Sequence, residues 1–196
     1  MKLFRLLFIL GLVSFSLEAN VIYGQTNCHV LYDGVDLATK TYRLEMAPAS
    51  IFNYTPPEVK SDLQTSNLIQ CRGQIVQIQD DVSLHLNIQV NSLMAQKAYG
   101  SLDVGAMFKV ILLDGKEVEL ENYAASGGVP TEDKKAYVYP VAYTLSNRDI
   151  KQLSKMEIDK IGIQWSSGYE EYTIYEVDFL TSQLSCLKQI KDQKPN

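Results

Sequence analysis

The sequence predicts a mainly β, β-rich α+β domain: an antiparallel β-sandwich or curled barrel of roughly eight or nine short strands with two short helices. Three observations carry that expectation. Apolar and polar residues alternate with period two in several segments, most cleanly from Val82 to Val90. Turn-forming pairs such as Asp80-Asp81, Asp114-Gly115 and Ser167-Gly168 fall between those segments. No strand–helix–strand rhythm runs along the chain, so a parallel sheet with crossover helices is not expected.

Each element follows from its residues. Cys28 to Tyr32 is a short apolar strand candidate, closed by a turn at Asp33-Gly34. Leu37 to Met46 reads as a second strand, with Ala38, Tyr42, Leu44 and Met46 on one side. Pro48, Pro56 and Pro57 mark the next stretch as loop. Ser66 to Gln79 reads as one long strand with a fault: Ile69, Cys71 and Ile75 share one parity, Val76 and Ile78 the other. A β-bulge at Gly73 would produce that switch. In the following strand Ser83, His85, Asn87, Gln89 and Asn91 form the polar face.

Ser92 to Gly100 fits a short helix or a loop. Met107 to Leu113 is apolar on both parities apart from Lys109 and reads as a strand buried on both faces. Asp114-Gly115 is a hairpin turn, with Val118 and Leu120 on the return strand. Ser126 to Lys135 reads as a flexible loop. Tyr137 to Leu145 is β-branched and aromatic, and Pro140 within it requires an edge or a bulge. Ser146 is placed to cap a short helix that buries Ile150 and Leu153. Ile161, Ile163 and Trp165 alternate with polar or small residues, and a further strand follows over Tyr169 to Val177. A C-terminal helix at about 178–191 carries Leu180, Leu184, Leu187 and Ile190 at near-helical spacing.

Residues 1–24 read as a cleavable signal peptide. Lys2 and Arg5 supply the basic start, and Leu3 to Leu17 is an apolar run too short for a comfortable membrane span. Cleavage after Ala19 or after Gly24 fits, the second leading directly into patterned sequence. The expected product is one β-rich domain over residues 25–196, secreted or periplasmic, with no stable transmembrane segment after cleavage. The 196-residue chain has a formal net charge of −5 with its charges scattered. That distribution offers no clustered Lys and Arg to bind nucleic acid.

Few residues suggest chemistry. The three cysteines, Cys28, Cys71 and Cys186, contain no C-x-x-C, so neither a zinc knuckle nor a thioredoxin-like redox site is indicated. Outside the cytoplasm they allow one disulfide and one remaining thiol. His29 and His85 are the two histidines. Ser83, His85 and Asn87 share a strand face, but a spacing of about 7 Å between alternate residues argues against a nucleophile–base contact. Asp80-Asp81 and Glu170-Glu171 lack the spacing of a calcium loop. Glu117, Glu119 and Glu121 share one face and keep the return strand of a hairpin wet. No metal and no cofactor is expected.

The 12 tyrosines are the most suggestive feature. Tyr137, Tyr139 and Tyr143 share one strand face, and Tyr169 and Tyr175 another. Flat rings with polar tips make platforms for glycans or proteins, so the Tyr137/Tyr139/Tyr143 stripe is the expected binding surface.

Several stretches resemble a group of small secreted β-rich proteins of Bacteroidetes-type bacteria that carry no assigned activity. They are Cys28-x3-Tyr32-x2-Val35-Asp36-x2-Thr39-Lys40; Gly105-x-Met107-x-Lys109-x2-Leu112-x-Asp114-Gly115-x-x-Val118-x-Leu120; Tyr139-Pro140; Leu153-Ser154-Lys155; Ile158-x2-Ile161; and Ser167-Gly168-Tyr169. Together they span most of residues 25–196, in order. The resemblance implies export and a β-rich domain, and favours Cys28 with Cys186 as the disulfide, leaving Cys71 free. The resulting reading is a non-catalytic domain of the bacterial envelope or exterior that engages an envelope protein or glycan through a sheet face. The alternative is a small extracytoplasmic hydrolase using paired carboxylates. A protease-inhibitor-like module presenting Ser126 to Lys135 is a third reading, disfavoured because tight inhibitors use rigid loops.

Overall fold

The computed structural model describes residues 28–57 and 67–193. Residues 1–24, expected to be a signal peptide, with both candidate cleavage sites, and Ser66, the expected start of the long strand, lie outside those residues. Within them the chain forms two antiparallel sheets and three helices. The larger sheet contains β1 (Val30–Val35), β2 (Tyr42–Met46), β3 (Ala49–Tyr54), β4 (Ile69–Ile78), β5 (Asp81–Val90), β8 (Val129–Pro130) and β9 (Tyr137–Leu145). Its order is β1-β2-β4-β5-β9-β8, with β3 also paired to β4. The smaller sheet contains β6 (Met107–Leu112), β7 (Glu117–Glu121), β10 (Ile158–Trp165) and β11 (Gly168–Thr173), in the order β11-β10-β6-β7. The helices are α1 (Ala95–Tyr99), α2 (Asn147–Leu153) and α3 (Phe179–Gln193). The architecture is a sandwich-like β-rich α+β fold, and neither sheet closes into a barrel.

Among the described residues there are eleven strands, more than the alternation predicts. One addition is β3, in the stretch that its flanking prolines mark as loop. Here Pro48 separates β2 from β3, and both then pair with β4 as two pieces of one interrupted strand. Another is β8, a two-residue pairing with Tyr137 and Val138 inside the supposed flexible loop. That loop is not loose: Thr131 and Ala136 exchange hydrogen bonds, and the Thr131 hydroxyl donates to Asp133 at 2.6 Å. Conversely, Asp33-Gly34 does not turn but lies within β1. The turn falls later, where Asp36 accepts the N–H groups of Ala38 and Thr39.

The long strand holds no bulge at Gly73. β4 pairs with β5 in continuous register from Ile69↔Val90 to Ile78↔Asp81, and Gly73 faces Leu86. A Cβ there would stand 2.6 Å from Ile51 Cδ1 and 2.7 Å from Leu86 Cδ2, so glycine is present for space. The parity switch has a different cause: Val76 is buried on the opposite face, and Ile78 stays exposed. Met107 to Leu112 is likewise not buried on both faces. Phe108, Val110 and Leu112 point inward, while Met107, Lys109 and Ile111 are half-buried. The clean alternation of β5 holds, with Val82, Leu84, Leu86, Ile88 and Val90 all buried.

Pro140 needs no bulge because the pairing of β8 with β9 ends at Val129↔Val138, leaving β8 short of Pro140 on that side. Ser146 caps α2 as a capping box: its hydroxyl accepts from Asp149 N at 3.2 Å, and Asp149 Oδ2 accepts from Ser146 N at 2.9 Å.

Rings from facing strands fill the space between the sheets. Phe52 stacks on Tyr172 at 4.6 Å, Tyr143 meets Phe108 at 4.9 Å, and Tyr139 meets Trp165 edge-on at 5.2 Å. Sheets about 10 Å apart require large side chains at such a seam. Among the described residues no helix is long and apolar enough to cross a membrane.

Candidate functional site

The tyrosine stripe of β9 is the seam, not the surface. Tyr139 and Tyr143 are fully buried and Tyr137 is half-buried against the core. Their parity is shared with Val141 and Leu145, whereas the opposite parity carries Val138, Pro140, Ala142 and Thr144. That contrast was the available signal that the tyrosines point inward. Burial raises the pKa of both Tyr139 and Tyr143 above the ordinary phenol value. Tyr169 and Tyr175 do not share a strand: β11 ends at Thr173, and Tyr175 lies beyond it, exposed.

The outer face of the larger sheet carries the polar side chains that β5 turns away from the core. The register sets Gln74, His85 and Ala142 in one row and Arg72, Asn87 and Pro140 in the next. Because β9 contributes only Pro140 and Ala142 here, the floor is shallow. Over it hangs Tyr123, a residue that no periodicity marks because it lies outside any strand. Its neighbour Asn122 is buried, donating its amide to the carbonyls of Leu102 at 3.4 Å and Asp103 at 3.2 Å and accepting from Ala124 N at 3.2 Å. With Asn122 anchored inward, Tyr123 projects outward and is 55% exposed. Together Gln74, His85, Asn87, Tyr123, Pro140 and Ala142 line a depression of about 270 Å³.

His85 Nε2 lies 2.9 Å from Ser83 Oγ. The spacing argument against that contact fails, because two side chains on one face lean together along the strand. Ser83 also donates to the Val76 carbonyl at 3.4 Å. Desolvation, then the nearby Arg43 charge, lower the His85 pKa, while Glu45 opposes them. Among the described residues no carboxylate is hydrogen-bonded to His85, so the pair lacks the orienting third member of a hydrolase triad. Glu45 is instead paired with Arg43 and accepts from Gln74 Nε2 at 3.2 Å.

Two larger clefts have part of their polar lining committed to internal hydrogen bonds and ion pairs, and His29 lines the first. One, about 430 Å³, lies between the β2–β3 break and the start of α3. There Gln183 bonds Ile75 and Ala47, and Ser182 donates to Asp178 Oδ2 at 2.9 Å. The other, about 410 Å³, is lined by Glu117, Glu119, Arg148 and Asp149. Lys109 bridges Glu117 at 2.7 Å and Glu119 at 3.4 Å, and Asp149 is the helix cap. Glu121, the third carboxylate of that strand, is exposed. Three other carboxylates, Asp36, Asp114 and Asp133, have pKa values lowered by hydrogen bonds, the opposite of a general acid.

Cys28 and Cys186 form the disulfide, tying the residues before β1 to α3. Cys71 is free and buried, and desolvation raises its thiol pKa far above the ordinary value. No group of three or more His, Cys, Asp or Glu suited to a metal occurs among the described residues.

The chain is thus a β-rich, sandwich-like α+β protein with one internal disulfide and a polar depression on its larger sheet. No protein-family model, curated protein or solved structure matches it.

Proposed function

We propose that this chain is an exported, non-catalytic recognition domain of a bacterial envelope or exterior, engaging a protein or glycan through the outer face of its larger sheet. The depression under Tyr123 carries the reading: an exposed ring stands over uncharged polar side chains on a rigid, paired scaffold. Preformed clefts with a few convergent polar groups are the usual form of a binding site. The Cys28–Cys186 bridge supports export, since structural disulfides persist mainly in oxidising compartments. The signal-like residues 1–24 and the resemblance to small secreted proteins point the same way.

Fractionation of cells expressing the full chain, followed by binding of the purified protein to their envelope fraction, tests the proposal. An extracytoplasmic, shortened protein whose envelope binding falls in Tyr123→Ala supports it. A cytosolic, full-length protein, or binding indifferent to Tyr123, overturns it.

One observation favours a second reading, an extracytoplasmic hydrolase: Glu117, Glu119 and Asp149 line one cleft. Turnover of a substrate that is lost in Glu119→Gln with folding intact would establish it.

A further inference from the structure

We propose that the depression binds a neutral polysaccharide, with one sugar ring stacked on Tyr123 and its hydroxyls read by Gln74, His85 and Asn87. This rests on the recognition reading above and names the ligand class of the same site.

Four features select that class. First, the ring is presented for stacking: it is exposed while its backbone is fixed, with Tyr123 N donating to Ala142 O at 3.5 Å and Asn122 buried behind it. A platform whose backbone is already held loses less entropy when a flat ligand covers it. Second, the polar groups offer both donors and acceptors. Asn87 and the Tyr123 hydroxyl have no hydrogen-bond partner among the described residues. Gln74 uses its amide nitrogen on Glu45, leaving its carbonyl oxygen, and His85 engages Ser83 through Nε2, leaving Nδ1. Sugar hydroxyls donate and accept, and such a mixed set satisfies them.

Third, the site carries no uncompensated charge directed into it. Arg43 is paired with Glu45, and the Arg72 guanidinium donates to the Pro48 carbonyl at 3.1 Å, on the side of β4 away from Asn87. No Lys, Arg, Asp or Glu is among the residues that line the depression, so a polyanion would find no cation inside it and a polycation no carboxylate. Fourth, the size fits. About 270 Å³ suits a sugar unit or two. A stable protein partner would need about 800 Å² on this side, and Pro140, Ala142 and Ala124 offer no large apolar anchor around the ring. Their small side chains do leave room for the C–H edges of a sugar.

Affinity electrophoresis and calorimetry with the disulfide-bonded protein test the inference, using soluble β-glucan, mannan and xylan, with polygalacturonate as an anionic comparator. The same protein is also applied to envelope treated with mild periodate or with protease. Binding to a neutral polymer is expected, weakened about tenfold in Tyr123→Ala and retained in Tyr123→Phe. Asn87→Ala should weaken it several-fold at an unchanged melting temperature. Envelope binding should survive protease and disappear after periodate. Envelope binding that depends on Tyr123 but resists periodate and disappears with protease overturns the glycan assignment and leaves the recognition reading standing. Preference for polygalacturonate overturns it equally. Envelope binding that ignores Tyr123→Ala overturns the recognition reading itself.

Discussion

The side-chain carbonyl of Gln183, on α3, accepts the backbone N–H of Ile75, on β4, at 2.6 Å across 108 residues of sequence. β3 covers the edge of β4 up to Gly73, and β2 covers it from Val76. Ile75 lies in the gap. Gln183 fills that gap, and its amide nitrogen donates to the Ala47 carbonyl at 3.0 Å, at the break between the two strands. A side chain thereby replaces the ladder bond that the interruption removes.

Replacing Gln183 with Leu keeps the volume and strands both backbone groups. Leaving a buried donor unsatisfied costs about 1–3 kcal/mol. Urea unfolding should show a loss in that range for Gln183→Leu with an unchanged slope. A loss below about 0.5 kcal/mol would mean the bond contributes nothing beyond packing.

The disulfide closes a loop with a sequence separation of 158. In the chain-entropy model such a loop stabilises by up to about 5 kcal/mol. Cys28→Ser with Cys186→Ser should lower the denaturant midpoint substantially. In the native protein Cys71 should resist alkylation because its thiol is buried and protonated, and it should react once the chain unfolds. Mass mapping before and after denaturation reads both effects, and native labelling of Cys71 would refute its burial.

Gly73→Val should be severe. Its side chain would enter space held by Ile51, Leu86 and Phe179, and overpacking of this kind costs about 1–3 kcal/mol. Thermal melting should place it well below a control such as Gly127→Ala, where a Cβ meets nothing within 4 Å.

Tyr143→Phe should be neutral or stabilising. The Tyr143 hydroxyl is buried with no hydrogen-bond partner among the described residues, so removing it relieves a desolvated polar group. Tyr143→Ala, which opens the seam beside Phe108, should cost about 3–5 kcal/mol. Equal losses in the two variants, measured by urea unfolding, would contradict an inward-facing ring.

His85 makes stability depend on pH with a defined sign. Its folded pKa lies below the ordinary value of 6.5, chiefly by desolvation. The unfolded chain therefore binds the proton more readily. The stability present above pH 6.5 declines as pH falls through that value toward the lower folded pKa. His85→Asn should flatten the fall in denaturant midpoint between about pH 7 and about pH 5. A wild-type slope in the variant would assign the fall to other groups.

Local pattern made much of this architecture legible. The alternation from Val82 to Val90 specified β5, Asp114-Gly115 specified the β6–β7 hairpin, and Ser146 with Asp149 specified the cap of α2. Each depends on neighbours in the chain, so sequence alone contains the whole cause. The resemblance also gave the cysteine pair.

The misreadings at the tyrosines, at Gly73 and at Tyr123 share one origin. A tyrosine suits an exposed face or a seam equally well, and only the position of the second sheet buries Tyr139 and Tyr143. Gly73 looked like a bulge because its reason lies in Ile51 and Phe179, which approach it from β3 and α3. Tyr123 carried no signal because its exposure depends on where the buried Asn122 is anchored. Sequence by itself determined that β5 extends with its apolar residues from Val82 to Val90 turned inward, that Asp114-Gly115 turns the chain and that Ser146 caps α2, since period and turn chemistry are local properties of the backbone. Tertiary structure alone decided which aromatic rings meet solvent and where β2 breaks into β3, because both depend on contacts between residues far apart in the chain.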